Sequence, residues 1–222
     1  MLKSSFLTLL LLLCLNLCSY AQNESLSFLA MGDSYTAATG ELPKNSWPKL
    51  LRALMNKKKQ QFDEPHILAK AGWTTTDLLK ALDTAQLDPS YDQVALLIGV
   101  NNQYRGLPIT RFEEEFEQLL QKSIQLANGN AEQVFILTIP DWGVTPFAGF
   151  RNRDKISEEV GRYNALITEM SAKKNILVID ITPLSRNMGV NPSLIASDSL
   201  HPSKKMYQSW AKKISKKLRK KN

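Results

Sequence analysis

Residues 93–101 read "QVALLIGVN", and the five positions from Val94 to Ile98 are apolar without a single polar interruption. A strand with one wet face alternates in polarity with period two, so an unbroken run of this length is the mark of a strand covered on both faces. Four other stretches have the same character: "LSFLAMG" (26–32), "HILAKAG" (66–72), "QVFILTIP" (133–140) and "NILVIDITPL" (175–184). Between them lie segments with helical spacing of apolar residues. These are "SWPKLLRALMNKK" after the first run, "TTTDLLKALDTA" after the second, "ITRFEEEFEQLLQKSIQLA" after the third, "KISEEVGRYNALITEMSAKK" after the fourth and a basic final segment. Buried strands alternating with amphipathic helices require a parallel sheet with helices on both sides. Five such units predict an α/β fold, a three-layer α/β/α sandwich.

The chain has 222 residues, enough for one domain with a substantial core. Its first residues, "MLKSSFLTLLLLLCLNLCSYAQ", place Lys3 before an apolar run from Phe6 to Leu17 and end in small residues around Tyr20. That is the pattern of a secretory signal peptide, with cleavage expected after Ala21, leaving residues 22–222 as one domain. The protein is therefore expected to be exported, periplasmic or secreted. A lipid anchor on Cys14 or Cys18 is the weaker reading, because the residues before each cysteine are not small. Both cysteines of the chain lie in this segment, so the mature protein is expected to contain no disulfide, thiol nucleophile or thiolate metal site.

The formal net charge is +7, and "KKISKKLRKKN" at the end contributes seven basic residues and no acid. Trp210, Ile214 and Leu218 recur every four residues among those lysines, which predicts a surface helix with one buried stripe and a solvated basic face. An exported protein seldom meets nucleic acid, so no nucleic-acid partner is expected. Weak contact of this basic helix with an anionic membrane surface is the functional alternative.

Open parallel sheets bind ligands outside the carboxyl ends of their strands. The two longest irregular stretches, 141–154 and 185–203, both follow such ends. Ser34, in "FLAMGDSYTAATG" (28–40), stands directly after the first strand. Alone it reads as a nucleophile, as a helix N-cap or as part of a hydroxyl-rich phosphate loop of the flavodoxin kind. The last reading would make the protein a flavin-binding module, but it needs glycine where Ala37 and Ala38 stand. In "SDSLHPS" (197–203), Asp198 lies three residues before His201, close enough for a carboxylate to fix the imidazole tautomer through Nδ1 and leave Nε2 to take a proton. The alternative is an aspartate capping the last helix beside a solvent-facing histidine. The other histidine, His66, begins the second strand at the opposite edge and reads as structural; two separated histidines make no zinc site. Asn101 ends the third run, where its amide serves either as an oxyanion donor or as a partner for loop carbonyls. Gly72 closes the second run and offers a backbone N–H with no side chain in the way.

Taken together, Gly32-Asp33-Ser34, Gly72, Gly99-Val100-Asn101 and Asp198-Ser199-Leu200-His201 resemble, in order and spacing, the blocks of the SGNH or GDSL-type hydrolases, over about residues 26 to 203. That resemblance implies Ser34 as nucleophile, His201 as general base, Asp198 as its partner, and the Ser34 and Gly72 N–H groups with the Asn101 amide as oxyanion donors. It also implies a flavodoxin-like five-stranded sheet of order 2-1-3-4-5, the SGNH hydrolase fold, and no required cofactor or metal. One departure concerns a loop bond: the third block commonly reads G-x-N-D, and Asn102 stands in place of the aspartate. Thr36 replaces the second glycine of a G-x-S-x-G elbow, which argues against an ordinary α/β-hydrolase. The expected activity is an exported serine esterase acting on small acyl esters or O-acetylated carbohydrate, with a small-molecule or glycan ester as partner. The alternatives are a lysophospholipase or thioesterase-type acylhydrolase, or a non-catalytic glycan- or flavin-binding module. Trp142, Phe147, Phe150, Arg151 and Arg153, with Tyr104 and Arg105, are expected at the ligand edge.

Overall fold

The computed structural model describes residues 25–57 and 61–221; the expected signal peptide lies outside the described residues. Five strands form one parallel sheet: β1 (Phe28–Gly32), β2 (His66–Ala69), β3 (Gln93–Leu97), β4 (Val134–Leu137) and β5 (Leu177–Ile179), in the order β2-β1-β3-β4-β5. This is the flavodoxin-like order, with the chain reversing its winding direction at β1. The register runs Leu29 to Val94 and Met31 to Leu96 on one side of β1, and Leu29 to His66 on the other.

The central strands are buried on both faces: every residue of β1 and β4 is buried, as are Val94 to Leu97 of β3. The edge strands β2 and β5 are only half-buried for most of their length. Helices cover both faces: α2 (Trp47–Asn56), α3 (Thr75–Thr84), α5 (Ile109–Leu126), α6 (Arg153–Ala172) and α8 (Lys204–Lys221) fall where the apolar spacing predicts them. In α8, Trp210 and Ile214 are fully buried and Leu218 nearly so, packed against α2, while the lysines between them face outward. No helix among the described residues is long and apolar enough to cross a membrane.

The strands are shorter than the apolar runs: β1 only at its amino end, β4 and β5 at both ends, and β2 and β3 only at their carboxyl ends. "HILAKAG" leaves the sheet at Ala69, so Gly72 lies in the turn after β2 instead of closing it. "QVALLIGVN" leaves at Leu97, and Asn101 lies in a short helix, α4 (Val100–Tyr104), for which Gly99 is the N-cap. Residues such as Ile98 and Ile139 are apolar because the core continues under these loops. Two further short helices, α1 (Ser34–Ala37) and α7 (Thr182–Arg186), likewise begin at strand ends and are too short to register as periodicity. His66 sits at the amino end of β2, its Nδ1 3.0 Å from the Tyr91 hydroxyl, away from the carboxyl edge.

Candidate active site

The turn from β1 into α1 is set by Gly32 and Asp33. A Cβ on Gly32 would lie 2.3 Å from the Leu97 carbonyl oxygen and 2.5 Å from Thr36 Oγ1, so only glycine lets the turn pack against β3. Asp33 is the N-cap of α1: its Oδ1 accepts the Tyr35 N–H at 3.0 Å. The cap reading of Ser34 is therefore incorrect. Because its neighbour fills that role, Ser34 occupies the first helical position, 6% exposed, and its hydroxyl makes no hydrogen bond to the described residues. The phosphate-loop reading also loses its basis: residues 34–37 are helical and Ala38, not a glycine, takes the left-handed conformation that ends them. Asp33 is fully buried, and this burial pushes its carboxyl up to about 7 despite the capping bond. Burial, and after it the Asp33 charge, also raises the Tyr35 hydroxyl.

His201 belongs to a tight loop closed by the Ala196 N–H donating to the His201 carbonyl at 2.8 Å and by an antiparallel bridge between Ile195 and Pro202. Inside it, Asp198 Oδ1 accepts the backbone N–H groups of Leu200 and His201 at 3.0 and 2.9 Å, and Oδ2 lies 2.6 Å from His201 Nδ1. Burial pushes the Asp198 carboxyl up, but the bonds from the His201 backbone, the His201 ring and the Leu200 backbone outweigh it and hold the group below its ordinary value. The alternative of a helix cap with a solvated histidine does not hold. His201 is 7% exposed, its ring 5.3 Å from that of Tyr35, and α8 begins instead with the Lys204 N–H on Glu41.

Three side chains of α4 and its end hold the turn that carries Gly72. Asn101 Nδ2 donates to the Trp73 carbonyl at 2.9 Å, and Arg105, four residues on, donates from Nη2 to the Gly72 carbonyl at 2.5 Å. Asn102, between them, accepts the Thr75 N–H on Oδ1 at 3.1 Å and donates from Nδ2 to Thr75 Oγ1 at 2.7 Å. Thr75 in turn donates its hydroxyl proton to Glu115 of α5. Asn101 thus does satisfy a loop carbonyl, and its amide keeps a second N–H. Gly72 has a φ of +82°.

Ser34, Asn101 and His201 line one cleft of ≈ 70 Å³ at the carboxyl edge of the sheet, walled by the apolar surfaces of Tyr104, Trp142 and Phe147. Asp198 stands behind His201, and Gly72 lies in the neighbouring turn, outside the residues that line the cleft. Trp142 is fixed by its indole N–H on Gln103 Oε1 at 2.7 Å, and the loop before it by Asp141, whose carboxylate holds Ser157 and Arg186. Phe147 is tied to the histidine loop by its N–H on the Ser199 carbonyl. Arg151 lies over the aromatic wall, Arg153 donates to the Gly143 carbonyl, and Phe150 is fully exposed and is not among the residues that line the cleft. Sequence reasoning missed Tyr35, Val100 and Leu200 as lining residues. Each adjoins a residue that it had named, and that adjacency was the available signal.

The GDSL-like lipase/acylhydrolase family matches residues 30–209. Among solved structures, TesA matches with a TM-score of 0.68 at 17% identity, over 88% of this chain and 99% of that one. The acetylxylan esterase Axe2 from Geobacillus stearothermophilus matches with a TM-score of 0.65 at 16% identity, over 87% and 94%. The psychrotrophic esterase EstA from Pseudoalteromonas sp. matches with a TM-score of 0.63 at 22% identity, over 87% and 97%. No curated protein sequence matches the chain. At these identities the structures speak for the fold, while the family match spans nearly the whole described chain. The chain therefore belongs to the GDSL-like lipase/acylhydrolase family and is a carboxylic ester hydrolase of the SGNH type.

Proposed function

We propose that Ser34, His201 and Asp198 form the catalytic triad of an exported esterase that removes small acyl groups, such as acetyl, from sugar or other small alcohols. The observation that carries this reading is the 2.6 Å pairing of His201 Nδ1 with Asp198 in a loop whose histidine shares a cleft with Ser34 and Asn101. With Nδ1 committed to Asp198, Nε2 is the nitrogen left to take the Ser34 proton. Ser34 Oγ attacks the ester carbonyl, the alcohol departs with the proton held by His201, and water then releases the acid from the acyl-serine by the same base. The negative charge of each tetrahedral intermediate is met by the N–H groups of Ser34 and Gly72 and the remaining Asn101 amide N–H. The small volume of the cleft supports a short acyl group. Export rests on the amino-terminal pattern of residues 1–21, and weak attraction of the basic face of α8 to an anionic surface is compatible with it.

The test is adduct mapping by mass spectrometry after fluorophosphonate treatment, together with nitrophenyl esters of increasing acyl length. Labelling at Ser34 and a fall in kcat/KM beyond short chains are expected. A preference for long chains would overturn the acyl-size reading, and an unlabelled Ser34 in an active preparation would overturn the triad.

A further inference from the structure

The eight arginines of the chain divide by place. Arg52, Arg111, Arg162 and Arg186 each pair with a carboxylate, whereas Arg105, Arg151 and Arg153, all at the carboxyl edge of the sheet, have none within salt-bridge distance among the described residues. Arg219, far along α8, is the other without one.

Arg151 is the best placed of the three. Its guanidinium carbon lies 5.4 Å from the ring centre of Phe147 and 5.9 Å from those of Tyr104 and Trp142, the three rings that wall the cleft. Nη1 donates to the carbonyls of Phe147 and Ala148 at 3.0 and 3.5 Å, which fixes the plane of the group. The Nε and Nη2 hydrogens are left without a protein acceptor among the described residues. These rings and carbonyls restrict the guanidinium, so binding an anion there costs less further entropy than at an arginine without such contacts. Arg105, bound to the Gly72 carbonyl, and Arg153, bound to the Gly143 carbonyl, add positive charge on the same edge, and no acidic side chain lines the cleft.

The geometry points to Arg151 as a specificity residue that selects esters whose alcohol half carries an anionic group, a carboxylate or a phosphate. This rests on the ester-hydrolysis reading above. With the short acyl group of that reading placed in the ≈ 70 Å³ cleft, the part of the substrate that reaches the rim belongs to the alcohol. There the free edge of Arg151 is offered for a charge-assisted contact.

The test compares matched pairs of substrates: O-acetyl glucose against O-acetyl glucuronic acid for carboxylate, and acetylglycerol against acetylglycerol phosphate for phosphate. A charged hydrogen bond at an exposed rim corresponds to a preference of about tenfold in kcat/KM for the anionic member of at least one pair. That preference should shrink with added salt. Which pair shows it identifies the anion. Arg151→Gln should collapse the ratio toward one by raising KM for the anionic ester, whereas Arg151→Lys should retain part of it. Equal kcat/KM within both pairs for the unaltered protein, or a ratio that survives Arg151→Gln, overturns the proposal while leaving ester hydrolysis intact. No turnover of either member, with Ser34 unlabelled by fluorophosphonate, overturns the ester reading and the proposal with it.

Discussion

Asn102 provides a sharp test of the hydrogen-bond reading, because the direction of every proton in its chain of contacts is determined. The Thr75 N–H can only donate, so the Asn102 oxygen must face it and the amide nitrogen must face Thr75 Oγ1. Thr75 then has one hydroxyl proton, and Glu115 receives it. Replacing Asn102 by aspartate puts two carboxylates against one hydroxyl. Both Asn102 and Thr75 are fully buried, so water cannot supply the missing donor cheaply. The loss is that of one hydrogen bond to a charged group, about 2 kcal/mol. Glu115→Gln alone forces its oxygen toward Thr75 and its amide toward Arg111 Nε, which now bonds the carboxylate at 2.9 Å, at a cost of about 1 kcal/mol.

The double variant Asn102→Asp/Glu115→Gln reverses the chain: the glutamine amide donates to Thr75, Thr75 donates to the aspartate, and the glutamine oxygen again faces Arg111 and Thr76. It should cost about 1 kcal/mol instead of the roughly 3 kcal/mol that independent effects would sum to, a favourable coupling of about 2 kcal/mol. Urea unfolding of the four proteins gives the cycle directly. A coupling below about 0.5 kcal/mol, or an Asn102→Asp variant as stable as the parent, would refute this reasoning.

Asn101→Ala should lower kcat on a nitrophenyl acetate by about a hundredfold or more while the protein stays folded, since one oxyanion donor is lost; turnover within a few-fold of the parent would sink that assignment. Gly40 has a φ of +82°, and a Cβ there would lie 2.5 Å from Asp198 Oδ2. Gly40→Ala should therefore cost about 1–3 kcal/mol in backbone strain and also displace the carboxylate from His201, seen as reduced kcat in a protein that still melts cooperatively. Asp33, with its carboxyl raised to about 7 from an ordinary 3.8, favours the folded state less once the unfolded chain ionises. Its contribution is neutral below the unfolded value, falls between the two and reaches a deficit of roughly 4 kcal/mol above the folded one. Asp33→Asn, which keeps the Tyr35 cap, should accordingly gain stability over the parent at about pH 8 but not at about pH 4, and equal differences at both would contradict the buried-acid reading.

The parts of this molecule that were legible in the sequence are those with long-range regularity. Unbroken runs such as Val94–Ile98 are readable because burial on both faces removes the period-two signal, and the stripe of Trp210, Ile214 and Leu218 because a helix repeats it. The turns were not legible, for a physical reason. At the carboxyl ends of β1 and β3, a strand, one or two connecting residues and a helix of four or five residues follow one another, too short for any period to show. Hence the sequence leaves Ser34 open to a cap role that Asp33 performs, and it places Asn101 at a strand end although that residue lies in the first turn of α4. Membership of the cleft depends on loops brought together by single contacts, such as the Phe147 N–H on the Ser199 carbonyl, which leave no trace in composition.

The same short helix shows how the turn after β2 is held with asparagine at position 102. Asn101, Asn102 and Arg105 grip Trp73, Thr75 and Gly72, so the segment that carries the Asn101 amide also fixes the turn that carries the Gly72 N–H. Two of the three proposed oxyanion donors therefore move as one unit, and what that unit requires at position 102 is an acceptor for the Thr75 N–H. Asparagine and aspartate both supply it. They differ only toward the Thr75 hydroxyl, and there Glu115 takes the proton that asparagine has no need of. A loss of Thr75 or of the Asn102 oxygen should thus loosen both donors together, whereas an exchange that only reverses the direction of the chain should leave turnover unchanged.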